Sequence, residues 1–420
     1  MVKVALLPSE PIRRQMAGIG IRYFELARRL PAFGLEVVLV QPGDPAEVPE
    51  ELAGTDVRAF ERGRLKEILG DCGVAVTQGQ LANDVVLEVP HLPVVVDLYD
   101  PFLIENLHYL ETLGLDPYRN DHATWVLQMS RGDFFLCSCE EQRQYYLGFL
   151  TALGRVNPHL VRDDPDTAGL VAVVPFGVPR ELPPHEPILG ERQGGERRLL
   201  FGGLYDWYDP WPVLEALARC DAGAGEDLWK LYLIRNPNSD GTPQKLFTEV
   251  EAWCRRRGLW EERIVVLDWI PAHRRYDLLR DVDLLVSTHT ATLETRLSLR
   301  TRFLDALVAG CPVVITEGGA MSRMLRERNA GWVVPEGDAD AILAAWREIL
   351  ADDPGPRVAA GHTLIGEFAW ERVLEPLVAF CKQPRIDPTK EEFAFRPPTA
   401  TPPDSLVFRV RRFLRRHLRN

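Results

Sequence analysis

A chain of 420 residues is long enough for two or three domains of roughly 150 residues, each with a core of its own. A net charge of −12 and a pI near 5.4 exclude a general nucleic-acid binder, because a phosphate backbone demands a basic footprint. Seven cysteines, scattered singly apart from Cys137 and Cys139, suit neither a disulfide framework nor a zinc spacing and point to a reducing cytoplasm, and no run of about 18 apolar residues marks a membrane span.

The chain opens on a strand, Val2 to Leu7, without the long apolar segment of a secretion signal. Strand-like runs at Val37–Val40, Val74–Thr77, Val94–Asp97, Phe134–Ser138 and Val171–Val174 then alternate with amphipathic segments. That alternation predicts an α/β fold with a doubly wound parallel sheet. Between the first two strands, Ala17-Gly-Ile-Gly-Ile-Arg22 is a glycine loop opening a helix. Gly18 and Gly20 allow close approach of a ligand to the backbone, and Arg22 follows in the first turn. A dinucleotide fingerprint would have a third glycine where Tyr23 stands, and a glycine pair is equally a turn device. Past the strand at 94–97, Asp97, Tyr99, Asp100 and Glu105 place carboxylates where they can orient substrate hydroxyls or accept a proton. The competing reading is an Asx turn before Pro101. His108 and His122 read as surface histidines.

A Pro-, Glu- and Gly-rich stretch from Arg180 to Arg197 reads as an interdomain linker. A strand at Arg198–Phe201 runs into a turn containing Gly203, Tyr205, Asp206 and Trp207, and a helix with Pro210 and Pro212 in its first turn follows. Arg235 and Trp269 lie just past two further strands; Trp269 offers either a stacking face or a buried ring. The strand Asp283–Ser287 empties into a polar loop with Glu294 and Arg296, then a short helix, a Gly-Cys-Pro turn and the strand Val313–Thr316. In such βαβ units, ligands sit beyond the strands' carboxyl ends. Phe303, Leu304, Leu307 and Val308 form the helix's apolar stripe, while Ser298, Thr301, Arg302 and Asp305 are spaced to meet one ligand together. A helix terminus contributes only ~0.3–2 kcal/mol toward a pyrophosphate, so Arg300 and Arg302 are placed to supply the remainder. The alternative is a solvated Arg302–Asp305 pair.

The run Asp305-Ala-Leu-Val-Ala-Gly-Cys-Pro-Val-Val resembles the donor-binding motif of bacterial GT-B glycosyltransferases, in the large retaining group with an E-x7-E motif. A variant subgroup with His-x-x-x-Leu-Glu-Thr-x-Leu-Ser-x-Arg-Thr-Arg-x-x-Asp fits His289 to Asp305 better, and the likeness extends to about Cys381. The resemblance implies two Rossmann-like doubly wound domains facing across a cleft. Residues 1–185 would bind the acceptor and 186–367 the nucleotide sugar, with 368–395 closing back onto the first domain. Asp305 stands at the second acidic position, which grips the donor's ribose. Leu297 occupies the first, leaving Glu294 as the nearest acid. The family's Gly-Arg and Lys are absent around Gly203, so the pyrophosphate falls to Arg300, Arg302 and Arg235. Catalysis is thereby assigned to Asp100, Glu294 and Arg302. Donor binding falls to Gly18, Gly20, Arg22, Gly203, Tyr205, Asp206, Arg235, Trp269, Arg300, Arg302 and Asp305, and the acceptor side to Asp97, Tyr99, Asp100 and Glu105. Transfer with retention, no cofactor and no metal are implied, the nucleotide sugar being a substrate.

Residues 396–420 read as a Pro-rich spacer and a basic amphipathic tail. Its last twelve residues hold six arginines and no acid, so the preceding 408 carry −18, the −12 of the whole less those six. Leu406, Val410, Phe413, Leu414 and Leu418 share one helical face, suited to an anionic membrane or to the acidic body of the chain. A lipid-linked or cell-surface glycan acceptor would favour the membrane. A nucleotide-sugar epimerase, a pseudo-glycosyltransferase and a non-catalytic nucleotide-sugar sensor remain alternatives.

Overall fold

The computed structural model describes residues 1–220, 228–235, 244–351 and 354–393. The spacer and basic tail expected at 396–420 lie outside the described residues. Seven strands, β1 (Lys3–Leu7), β2 (Glu36–Gln41), β3 (Asp56–Ala59), β4 (Val74–Thr77), β5 (Val94–Asp97), β6 (Phe134–Cys137) and β7 (Val171–Val173), form one sheet in the order β3-β2-β1-β4-β5-β6-β7. Six more, β8 (Glu196–Gly203), β9 (Leu228–Ile234), β10 (Ile264–Leu267), β11 (Leu284–Ser287), β12 (Val313–Thr316) and β13 (Trp332–Val334), form a second in the order β10-β9-β8-β11-β12-β13. All the pairings given by these strands are parallel, as in β1 with β2 and β4, and β8 with β9 and β11. In each sheet the order reverses beside the first strand, so the loops after β1 and β8 sit at topological switch points.

The strands of the first sheet are buried apolar runs, as helix-covered parallel strands must be. β3 escapes the hydrophobic pattern because it is a polar edge strand, Asp-Val-Arg-Ala with both ends exposed, and β13 because it has only three residues. The expected polar loop at Glu294 and Arg296 is instead a helix, Leu293–Leu297: the Thr292 side chain accepts from the N–H of Thr295 and caps it. The following helix, Thr301–Ala309, ends on Gly310 at φ +73°, a left-handed conformation that glycine adopts without strain.

The lobes are joined in both directions. Leu297 of the second lobe is buried within the core on one face of the first lobe's sheet, and Cys139 Sγ meets its carbonyl at 3.8 Å. The closing segment splits into two short helices, Trp370–Val373 and Glu375–Lys382, with Pro376 in the first turn of the second. Its Trp370 is fully buried, and Phe380 stacks on Phe134 of β6 at 4.6 Å. Farther on, Arg155 pairs with Asp387 and Lys390 with Asp133, both at 2.8 Å, strapping the segment to the first lobe.

Candidate functional site

A cleft of about 1090 Å³ opens between the lobes. It is walled by the loops following β1, β2, β5, β8, β10 and β11, all at the carboxyl ends of strands. The crevice rule for open parallel sheets is thereby met from both sides.

The first-lobe wall is built by the loops after β1 and β5. Gln41 at the end of β2 steadies the former, accepting from the N–H of Ile12 at 2.9 Å and donating to the carbonyl of Asp44. Farther along that loop, Glu10 bridges the start of the helix Gly18–Arg29. It accepts from the N–H groups of Ala17 at 2.6 Å and Gly20 at 2.7 Å, so a carboxylate already meets orphan donors of that helix. Burial raises the Glu10 pKa, against the lowering effect of those two N–H groups. Arg13 and Arg14 are exposed on the same wall and form no ion pair among the described residues. Opposite the glycine turn, a Cβ on Gly18 would come within 3.0 Å of the Tyr99 hydroxyl, so the missing side chain is what brings backbone and phenol together.

Asp100 and Glu105 hydrogen-bond to each other in this wall. Desolvation in the cleft, reinforced by the charges of Glu294 and Asp97, pushes Asp100 up to about 6 despite the opposing bond to Glu105. Burial, then the nearby Asp100 and Glu294, holds Glu105 well above the usual carboxylate range, with Arg300 acting against the rise. Two carboxyls this close do not both ionise readily, so near neutrality they behave as a pair sharing a proton. The arrangement can accept a hydrogen bond from a substrate hydroxyl and take up a proton.

The second-lobe wall is organised by Tyr208. An antiparallel bridge to His289 and the hydrogen bond from Asp209 N–H to the Thr288 carbonyl tie its loop to the one after β11. The guanidinium of Arg302 lies 4.5 Å from the Tyr208 ring and that of Arg300 5.1 Å from it. Arg302 donates to the carbonyls of Phe201 at 2.8 Å and Gly203 at 3.2 Å, clamping the end of β8, while its positive charge has no carboxylate partner among the described residues. Arg300 is paired with the buried Glu294, whose other oxygen accepts from Ser298 Oγ at 2.6 Å. Tyr205 and Trp207 stack at 4.9 Å, and Tyr109 of the first lobe meets Trp207 edge-on. Behind Tyr208, burial and the neighbouring Arg300 and Arg302 hold His289 well below the usual histidine range, and its Nε2 is buried without a hydrogen-bond partner among the described residues.

Of the residues expected at the site, Gly18, Tyr99, Asp100, Glu105, Tyr205, Trp269, Arg300 and Arg302 line the cleft. Others do not. Arg22 and Asp97 are buried against each other at 2.6 Å, with Arg22 also donating to the carbonyls of Val174 and Pro175, so an interior pair replaces the donor and acceptor contacts expected of them. Gly20 is buried, its N–H held by Glu10. Glu294, expected to be catalytic, is 1% exposed and positions Arg300 from beneath the wall. Asp305 does not line the cleft and pairs with Arg275, at 3.2 Å on the helix Arg275–Asp281, whereas Arg302 lines the cleft and bonds to the end of β8. Gly203 offers its carbonyl to Arg302, and Asp206 caps the N–H of Leu246 at 3.2 Å. Arg235 lies over the Phe247 ring away from the cleft. Glu10, Arg13, Arg14 and Tyr208 were not anticipated. The available signal was their position in the loops after the first strand of each sheet, where the switch points fall.

The geometry of two doubly wound lobes enclosing a cleft is the GT-B architecture, and the solved structures agree. HepE of Anabaena in complex with UDP and glucose matches at 14% identity over 91% of this chain and 100% of that one, with a TM-score of 0.62. A sucrose-phosphate synthase from Thermosynechococcus elongatus matches at 16% identity over 91% and 99%, with a TM-score of 0.58. WaaG, a glycosyltransferase involved in lipopolysaccharide biosynthesis, matches at 15% identity over 90% and 98%, with a TM-score of 0.56. The family model for glycosyl transferases group 1 matches residues 213–352, in the second lobe. Comparison with curated protein sequences gives no match.

Proposed function

We propose that this chain is a glycosyltransferase moving a sugar from a nucleotide-sugar donor, held against the second lobe, to a hydroxyl of an acceptor held by the first. The observation that carries this reading is the pairing of the two walls: Arg302, with no carboxylate partner among the described residues, faces the cleft from one side and the Asp100–Glu105 pair faces it from the other. In this reading Arg302 and Arg300 meet the donor's diphosphate, Trp269 or Tyr205 offers the base a stacking face, and Asp100 orients the acceptor hydroxyl. The bond from the anomeric carbon to the diphosphate breaks as the bond to the acceptor oxygen forms. The acceptor's proton passes to the departing phosphate oxygen, with the donor's configuration retained. No metal is required, because the arginines supply the charge. The acceptor is a lipid-linked or cell-surface glycan intermediate at the cytoplasmic face of a membrane, in polysaccharide biosynthesis.

A thermal-shift screen with UDP-, GDP- and TDP-sugars tests the donor site, since a ligand at 100 times its Kd adds about 2.7 kcal/mol to the folded state. One donor class is expected to raise Tm, and Arg302→Ala to remove both that shift and nucleotide release. Absence of any shift and of any nucleotide release would overturn the reading, and nucleotide binding without turnover would make the chain a sensor. Anomeric NMR of the product checks retention.

A further inference from the structure

Strand β8 is irregular at its cleft end. From Glu196 to Leu200 it pairs residue for residue with Leu228 to Tyr232 of β9, but Leu233 is opposite Gly202, so Phe201 is an extra residue and the strand bulges there. Gly202 follows at φ +86°, a left-handed conformation open to glycine without strain. Pairing of β8 with β11 also stops at Leu200. Carbonyls alternate in direction along a strand, and that of Arg198 turns toward β11, accepting from the N–H of Asp283 at 2.9 Å. Without the inserted residue, the carbonyls of Phe201 and Gly203 would turn the opposite way, into the ladder with β9. The insertion reverses the alternation, and the guanidinium of Arg302 takes both carbonyls, at 2.8 and 3.2 Å.

We propose that Gly202 is a positioning residue for an oxyanion in the cleft, acting through Arg302. The proposal rests on the assignment of Arg302 to the donor's diphosphate. A guanidinium carries five N–H donors. The bulge carbonyls use two of them, which leaves the others for a ligand in the cleft that Arg302 lines. The Tyr208 ring lies 4.5 Å from the same guanidinium, and Tyr208 is itself fixed, 8% exposed and bridged to His289. Two carbonyl dipoles hold the cation without cancelling its charge, whereas a carboxylate cancels it, as Glu294 does for Arg300. A cation already fixed in place loses little side-chain freedom when its anion arrives. A side chain at position 202 would disturb this arrangement twice. Backbone at φ +86° is strained for a residue with a Cβ, and that Cβ would lie 3.3 Å from Arg302 Nη1. Straightening the bulge would return the two carbonyls to the ladder and release the guanidinium.

The test is calorimetric titration of the full chain with inorganic pyrophosphate, a probe that carries the donor's oxyanions without its sugar or base. Wild type, Gly202→Ala, Arg302→Met and the double variant form a cycle that measures coupling between the two positions. Gly202→Ala is expected to weaken pyrophosphate binding about tenfold, the worth of a hydrogen bond to a charged group, and Arg302→Met by at least as much. In the Arg302→Met background, Gly202→Ala is expected to add no further loss, an outcome that a merely structural glycine would not produce. Thermal melts accompany each titration. Gly202→Asn, which accepts a left-handed backbone better than alanine does, takes its place in the cycle should the alanine variant not fold, with the same coupling expected. Wild-type affinity in the position-202 variant, an equal loss with and without Arg302, or no pyrophosphate binding by the wild type overturns the proposal. The donor assignment fails separately: Arg302-dependent binding of pyrophosphate with no binding of any nucleotide sugar would refute that assignment and leave the positioning of Arg302 standing.

Discussion

Arg300 and Glu294 form an enclosed ion pair at the second-lobe wall, with the guanidinium over the Tyr208 ring and the carboxylate steadied by Ser298. A carboxylate 1% exposed cannot reach a substrate, so it acts by holding the arginine that can. Removing one member of a buried pair leaves the other uncompensated, at a cost of about 3–5 kcal/mol. Glu294→Ala is expected to lower stability by that order in urea unfolding and to weaken donor binding at least tenfold by calorimetry. Glu294→Asp, which keeps the charge, should recover part of both; tight donor binding by the alanine variant would remove Glu294 from the site.

Arg22 and Asp97 give a contrasting case. Both are buried, and the arginine's remaining donors go to the carbonyls of Val174 and Pro175. Asp97→Ala is expected to cost about 3–5 kcal/mol of stability, read as a lower urea midpoint. In the fraction that folds, donor affinity should change less than threefold, whereas a large specific loss would restore Asp97 to the ligand site.

The Asp100–Glu105 pair sets a pH dependence. With Asp100 pushed up to about 6, the ionised form that accepts a hydroxyl's hydrogen bond is depleted below that pH. The acid limb of kcat/KM is therefore expected to bend near pH 6, as an apparent value of the coupled pair. Stability runs the other way. A carboxyl whose folded pKa lies above its unfolded value of about 3.9 favours the folded state at low pH, and that contribution is lost as pH rises through about 6. Asp100→Asn is accordingly expected to slow transfer about 100-fold while raising Tm above pH 7, a combination read by kinetics and thermal melts together.

Closure of the fold rests on a near contact between Gly177 and Trp370. A Cβ at Gly177 would come within 2.3 Å of the indole, which cannot move because it is fully buried. Gly177→Ala is expected to destabilise the protein by about 1–3 kcal/mol and to make the 370–393 segment more sensitive to proteolysis. A wild-type Tm and cleavage rate would show that the segment is not held there.

Leu297 tests the coupling of the lobes. It belongs to the second lobe in sequence and to the first lobe's core in space, with 4% exposure. Leu297→Ala should cost about 2–5 kcal/mol through the cavity it leaves. Small-angle scattering is expected to report wider separation of the lobes; an unchanged profile would place the coupling elsewhere.

The two sheets were legible in the chain because helix-covered parallel strands are continuous apolar runs, and such runs are local. The cleft was legible in outline for a related reason: Asp100 and Glu105 follow a strand, and Arg300 and Arg302 lie in the connection between two strands, on the side where open sheets bind ligands. What the sequence could not determine was which polar residue faces which partner. Arg22 and Arg302 look alike in a motif, yet one meets Asp97, 75 residues away, and the other meets two carbonyls at the end of β8. Asp305 is likewise drawn to Arg275 and Glu294 to Arg300 by contacts that only chain folding creates. Side-chain periodicity assigns a residue to a face. Charge pairing in a desolvated interior decides whether that face offers the group to a ligand or satisfies it within the protein, and that decision belonged to the tertiary structure.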